Sequence, residues 1–369
     1  MKKIVVVFLC LFIVSGIKVF ADDDYKENYG TFIGDTIEEN LDEDTKQRLH
    51  SDNLLPDSPD WVQNLQAEGV FSYIISLFKG GIKRPFTAFV SITGVILLFA
   101  AFSAFGQEKY LKSAEIIAPG IIAVLTFADI YSCVTAAAEA IRAASSFMIG
   151  FVPALASLIS ASGGALYGAT SCVTLLISAN AVSTFAANGV LPLMGGYLSI
   201  SMASGVSPAI AKVNPAAALK KVTIWVLSLV STVFLGVLSV QTAVLSAGDN
   251  AAIKMAKFVL GTSVPVAGGV LSEAVSAISS SLSLLKSSVG IFAVVAIAAI
   301  ILPVLIEIIL WRVCFFVSAA FGTLFGEERI SALLKAVDSV LACILGLLLL
   351  VSGLFIISLS VVVLAGKSV

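Results

Sequence analysis

Nothing restricts the folding of this chain more than its succession of long apolar runs. Residues 86–106 carry no charged side chain, and further apolar runs fill 116–138, 143–162, 166–187, 190–211, 222–245, 289–310, 313–325 and 340–365. About 20 apolar residues in a helix cross the hydrocarbon of a bilayer. There every backbone N–H and C=O must be satisfied within the segment, which selects helices for runs of this length. Only 12% of residues are charged, against roughly 25% in soluble proteins. The expected fold class is all-α: a polytopic integral membrane protein, built as a compact bundle of about seven to eight transmembrane helices with broken or re-entrant segments. The runs are rich in Gly, Ala and Ser, including the spaced pair Gly164 and Gly168. Small residues at this density let helix backbones approach closely.

The lead-in to the bundle has its own organisation. Lys2 and Lys3 precede an apolar stretch at 4–14, and Ala21 stands before three aspartates, so residues 1–21 read as a signal peptide. An uncleaved first anchor is the alternative. Residues 22–69 hold fourteen of the 24 acidic residues against three basic ones, a self-repelling extracytoplasmic segment. Residues 70–85 mix aromatic and apolar residues with Lys79, Lys83 and Arg84, the composition of an interfacial helix stopped by Gly80, Gly81 and Pro85. The polytopic membrane domain is then 86–369. With 22–69 outside, Lys109 and Lys112 in one loop and Lys212, Lys220 and Lys221 in another both fall inside, as positive charge should.

Two sets of residues stand out in the apolar background. Leu191-Pro192-Leu193-Met194-Gly195-Gly196-Tyr197-Leu198-Ser199 is echoed by Val264-Pro265-Val266-Ala267-Gly268-Gly269-Val270-Leu271-Ser272. Proline removes a helix donor and paired glycines loosen the backbone, so each copy is expected to break its helix. Paired broken helices are how transporters build sites at mid-membrane; two unrelated turns in a glycine-rich chain are the plainer explanation. Asp129 and Glu307 are the ionisable residues placed inside apolar runs, with Glu139, Arg142 and Arg312 nearer expected helix ends. Ionisable groups in a membrane are costly and point to ion handling or to structural hydrogen bonding. Glu307 and Arg312 are five apart, a poor fit for a pair on one helix. Residues 270–288 form an amphipathic pattern with a serine-rich face, suited to a pore lining or to the membrane surface.

Several function classes fall away. Lys and Arg total 22 against 24 acidic residues, so no basic field exists to bind nucleic acid. The single His50 lies in the acidic segment, no phosphate loop or hydrolase motif is present, and the cysteines within the spans read as small core residues. The chain is therefore read as a non-enzyme without metal or cofactor, with membrane lipid as its surroundings.

One stretch carries a resemblance. Gly236-Val237-Leu238-Ser239-Val240-Gln241, Ala252-Ile253-Lys254-Met255-Ala256-Lys257-Phe258, Val264-Pro265-Val266-Ala267-Gly268-Gly269, Leu271-Ser272-Glu273-Ala274 and Leu284-Leu285-Lys286-Ser287-Ser288-Val289-Gly290 follow in the order found in the stage III sporulation protein AE family of endospore-forming bacteria, which the region 234–290 resembles. The resemblance implies a membrane subunit of a trans-envelope channel, or secretion-like complex, between mother cell and forespore. Its implied partners are other stage III sporulation A-operon proteins, including an ATPase and ring-forming subunits, and a forespore-made partner. It implies residence in the mother-cell-derived outer forespore membrane, with 22–69 facing the intermembrane space. A self-contained small-solute permease and a scaffold anchoring the ring proteins are the competing readings.

Overall fold

Where helices end in this chain is decided by a few glycines, and most of the polar interruptions do not end them. The computed structural model describes residues 67–105, 108–161, 166–207, 215–245 and 288–365, together with Glu43 and 45–47. The leader 1–21, most of the acidic segment, the second motif copy at Pro265, Gly268 and Gly269, and the stretch 270–288 apart from Ser288 lie outside the described residues. The described elements are α1 (Ala67–Gly81), α2 (Lys83–Phe105), α3 (Glu108–Ala161), α4 (Leu166–Phe185), a π turn (Ala186–Val190), α5 (Leu191–Val206), α6 (Pro215–Leu245), α7 (Ser288–Leu324) and α8 (Glu328–Ala365). No strand occurs among them. Six stretches are long and apolar enough to cross a membrane among the described residues: Tyr73–Ala104, Ile116–Pro153, Leu176–Val206, Ala217–Gly236, Ala293–Leu324 and Glu328–Leu359.

This confirms the all-α polytopic class, and among the described residues three expected pairs of runs are fused. The runs 116–138 and 143–162 form the single helix α3, since Glu139-Ala140-Ile141-Arg142 contains only residues a helix accepts. The runs 166–187 and 190–211 are continuous from Leu166 to Val206 through the π turn. The runs 289–310 and 313–325 are one helix, α7, with Arg312 inside it. At 1.5 Å per residue the 54-residue α3 is about 81 Å long, far more than the ~30 Å hydrocarbon layer.

Pro85 does not stop a helix. The chain bends at Ile82, and Pro85 falls in the first turn of α2, where a missing N–H has no intrahelical partner to lose. Backbone bonds from Ile82 N to Phe78 O (3.1 Å) and from Phe86 N to Ile82 O (3.0 Å) carry the hydrogen bonding across the bend.

The α7–α8 hairpin is the tightest connection. Gly326 has φ 79°, a left-handed conformation that favours glycine. Gly326 N donates to Thr323 O (3.3 Å) and Glu327 N to Gly322 O (2.8 Å), which closes the carbonyl end of α7 as a Schellman motif. Just beyond, Ser331 Oγ donates to Ala319 O (3.0 Å) and lies 2.9 Å from Thr323 Oγ1. Ser103 of α2 reaches Glu327 Oε1 (3.2 Å), which ties α2 to this turn.

Around the hairpin the bundle packs in layers. α8 is its most buried helix, enclosed by α7, α5, α3, α6 and α4. α3 turns Ile122, Thr126, Ile130, Cys133, Ala137, Ile141, Ala144, Met148 and Phe151 inward at three- and four-residue spacing. Lipid is as apolar as these side chains, so close packing rather than water exclusion holds the helices together. Buried alanines such as Ala293, Ala296 and Ala299 on α7 allow that approach. Ser and Thr hydroxyls donate to carbonyls one turn back, as Thr126 does to Ile122 O (2.8 Å) and Ser358 to Leu354 O (2.8 Å), which lets them sit in an apolar layer.

Among the described glycines, Gly205 of α5 has the tightest surroundings, against α8. A Cβ on Gly205 would lie 2.4 Å from Leu333 Cδ1 and 2.9 Å from its Cβ. Leu333 is fully buried and its own Cβ cannot swing away. Gly205→Ala is expected to lower stability by about 1–3 kcal/mol through overpacking. Gly196→Ala, which meets nothing within 4 Å, should change it by well under that. Thermal unfolding of the two variants in the same detergent compares them.

Candidate functional site

Because apolar helices offer few polar groups, the sites of interest are where such groups converge. The first centre lies between α7 and α8. Arg312 Nε donates to Asp338 Oδ1 at 2.9 Å, with 16% and 24% of the two side chains exposed. Arg312 is the only basic residue of α7, and Asp338 is the last acidic residue in the chain. The partner of Arg312 is thus on the neighbouring helix, and Glu307 is not needed for it. Sequence spacing alone missed Asp338, because a pair 26 positions apart shows only once the hairpin is folded.

The second centre joins α3 to α4 and the π turn. Arg142 Nη2 donates to Asn188 Oδ1 (2.8 Å), and Ser145 Oγ donates to Asn180 Oδ1 (2.6 Å). Two helices expected to end near Glu139–Arg142 and near Asn188 continue there, with their polar interruptions facing each other. Asn180 and Asn188 carried no signal of their own in the sequence beyond being amides in apolar runs.

The third centre contains both acids singled out from the sequence. Asp129 and Glu307 are half-buried, on α3 and α7. Both lie within electrostatic range of the buried Cys133, as does Arg84 at the start of α2. The structure therefore brings Asp129 and Glu307 to one region. Cys133, Cys314 and Cys343 are buried free thiols. No group of three or more metal-ligating side chains occurs among the described residues.

Pro192, Gly195 and Gly196 are placed differently from expectation. The helix is not broken at them: α5 runs through all three, with Pro192 in its first turn. The irregularity sits one turn earlier, in the π turn, where Leu191 N donates to Ala186 O. A proline ring presses on the carbonyl four residues back, here Asn188, and the wider π turn gives that carbonyl room. Gly195 faces inward, where a Cβ would touch Tyr131 of α3 at 3.5 Å, while Pro192 and Gly196 face outward.

Comparison with known proteins agrees with the resemblance in residues 234–290 and extends it. A family model described as Stage III sporulation protein AE matches residues 62–366. Stage III sporulation protein AE of Bacillus subtilis (strain 168) is 27% identical over 300 residues, covering 81% of this chain and 75% of that protein. No solved structure matches the chain. The match begins before the first described helix and ends after the last. With its spans and its helix order lying inside that range, this multi-spanning sporulation protein belongs to the stage III sporulation protein AE family.

Proposed function

We propose that the chain is a membrane subunit of a trans-envelope channel or secretion-like complex, set in the mother-cell-derived outer forespore membrane and required for forespore development. Family membership over residues 62–366 is the observation that carries this reading. Its partners are other stage III sporulation A-operon proteins, among them an ATPase that supplies energy and subunits that form rings, with a forespore-made protein on the far side. The chain itself contributes no catalysis.

The filled centre of the bundle favours this over a self-contained permease. A permease needs its path inside one chain, and that axis is occupied by α8, whose Leu341, Ile344, Leu348 and Phe355 are fully buried. A path through the complex would then run between chains.

Charge supports one orientation. Fusing two pairs of runs before residue 212 removes an even number of crossings, so the start of α3 with Lys109 and Lys112 stays on the same inner side as Lys220 and Lys221 at the start of α6. The acidic segment then faces the intermembrane space.

The test uses a strain lacking this gene, complemented with an affinity-tagged copy. Late forespore reporter expression is expected to vanish in the deletion and return with the tagged chain. The ATPase and ring-forming siblings should co-isolate with it from sporulating cells. Normal sporulation without the chain, or with variants that no longer co-isolate with any sibling, would remove the proposal. Solute uptake by the purified protein in liposomes, without siblings, would favour the permease.

A further inference from the structure

The exposed surface of α1 and α2 changes character at the bend between them. Between Glu68 and Glu108 every charged residue is basic: Lys79, Lys83 and Arg84. They stand where α1 gives way to α2, and all three are exposed. No acid among the described residues forms an ion pair with any of them. Asp129 and Glu307 share the neighbourhood of Cys133 with Arg84, yet neither is bonded to it. Gly80, exposed beside Lys79, leaves open space, since a Cβ there would meet nothing within 4 Å.

Past the bend the surface is apolar. Ile82, Phe86 and Val90 are 48%, 60% and 54% exposed, and their four-residue spacing makes one stripe. Thr87 and Ser91 beside it donate their hydroxyls to Lys83 O (2.9 Å) and Thr87 O (3.0 Å), so they leave no unsatisfied donor on that face. Before the bend, α1 exposes Ser76 and Lys79, while Tyr73 and Ile74 are buried against Leu302 and Ile306. The edge of the hydrocarbon therefore falls at the bend, with cations on the edge and apolar side chains inside it. From Ile82 to Val90 is about 12 Å of helix, most of the roughly 15 Å depth of one leaflet.

We infer that the α1–α2 bend binds an anionic glycerophospholipid, its phosphate held by Lys79, Lys83 and Arg84 and an acyl chain lying along Ile82, Phe86 and Val90. Arg84 offers a fork that matches two phosphate oxygens, and the two ammonium groups add compact charge. A zwitterionic phospholipid carries a cation of its own and gains less from the cluster. The chain's acidic segment would answer the cations alone, whereas a lipid answers the cations and the stripe together. In the orientation argued above, the cluster lies on the side of the acidic segment, where the positive-inside rule disfavours basic residues. An anionic lipid gives them a partner there. That last point alone rests on the orientation; the cluster and the stripe stand without it.

The experiment titrates the full-length protein, in neutral detergent, with dioleoyl-phosphatidylglycerol or dioleoyl-phosphatidylcholine and reads bound lipid by native mass spectrometry. Phosphatidylglycerol is expected to bind at least about tenfold more tightly. Lys79→Gln/Lys83→Gln/Arg84→Gln should bring it down to the level of phosphatidylcholine, and each single change should lower it severalfold. Lys109→Gln/Lys112→Gln/Lys335→Gln removes the same charge elsewhere and should leave the preference intact. Phe86→Ser should weaken both lipids, and glycerol 3-phosphate should not displace phosphatidylglycerol. Thermal unfolding without added lipid establishes that each variant is intact, and the single variants decide the matter if the triple one is unstable. Four results overturn the inference. They are no preference in the parent, equal loss in the control triple, a Phe86→Ser variant that binds as the parent does, and displacement by glycerol 3-phosphate. An unchanged preference in the cluster variants, as expected if the acidic segment covers the cations, overturns it as well.

Discussion

Asp338→Ala is expected to be among the most damaging single substitutions in the bundle, costing about 3–5 kcal/mol. It leaves the Arg312 guanidinium, only 16% exposed, without its counter-charge between two packed helices. Arg312 cannot shed its proton to escape the penalty, because guanidinium stays charged at any physiological pH. The informative comparison is with the double variant Arg312→Leu/Asp338→Leu. Removing both charges together is expected to restore most of the lost stability, because an apolar pair avoids the desolvation that the ion pair must offset. The measurement is the thermal midpoint in detergent for Asp338→Ala, Arg312→Leu and the double variant, closed as a cycle. A double variant no better than either single one would mean the pair contributes net stability. Accumulation in sporulating cells should follow the same order.

Trp311→Ala is the second large effect. Trp311 is fully buried and stacks on Phe315 with ring centroids 5.6 Å apart and planes 20° apart. Aromatic-to-alanine changes in cores cost about 3–5 kcal/mol, and the low end applies here because lipid is already apolar and only the packing contacts are lost. Trp311→Phe separates packing from polarity. The indole Nε1–H is buried without an acceptor, a condition that costs about 1–3 kcal/mol. Phenylalanine keeps the stacked ring, leaves a modest gap and deletes the orphan donor. The two consequences oppose each other, so Trp311→Phe is expected within about 1 kcal/mol of the parent. A loss near that of alanine would mean the indole donor is satisfied in the membrane, by water or by another chain.

How much of this was readable in advance depends on the kind of information involved. The membrane class and the helical content follow from uncharged runs long enough to cross lipid, a property each segment carries alone. The family was legible because the motifs between 234 and 290 are distinctive in their order. Helix continuity was less so. Glu139 and Arg142 look like an interface when α3 is read alone, and they cease to once Asn188 is brought alongside. Pro192 reads as a break because proline disrupts a regular α-helix, yet a π turn one step upstream absorbs the disruption. Arg312 had no well-spaced acid on its own helix, and the hairpin brought its partner from the next. For Arg142 and Arg312 the missing quantity was a contact between helices. A local pattern shows which residues need a partner without showing where it comes from.

The length of α3 has a mechanical side. Its two prolines, Pro119 and Pro153, lie toward its ends, so the 33 residues between them contain no helix-weakening proline. Such a rod, about 50 Å long, outreaches the ~30 Å layer it crosses and behaves as a lever with the bilayer as its fulcrum. A swing of about 10° about the midpoint moves an end roughly 25 Å away by about 4 Å. Force applied to one end would thereby become displacement of the other, with no hinge required in between.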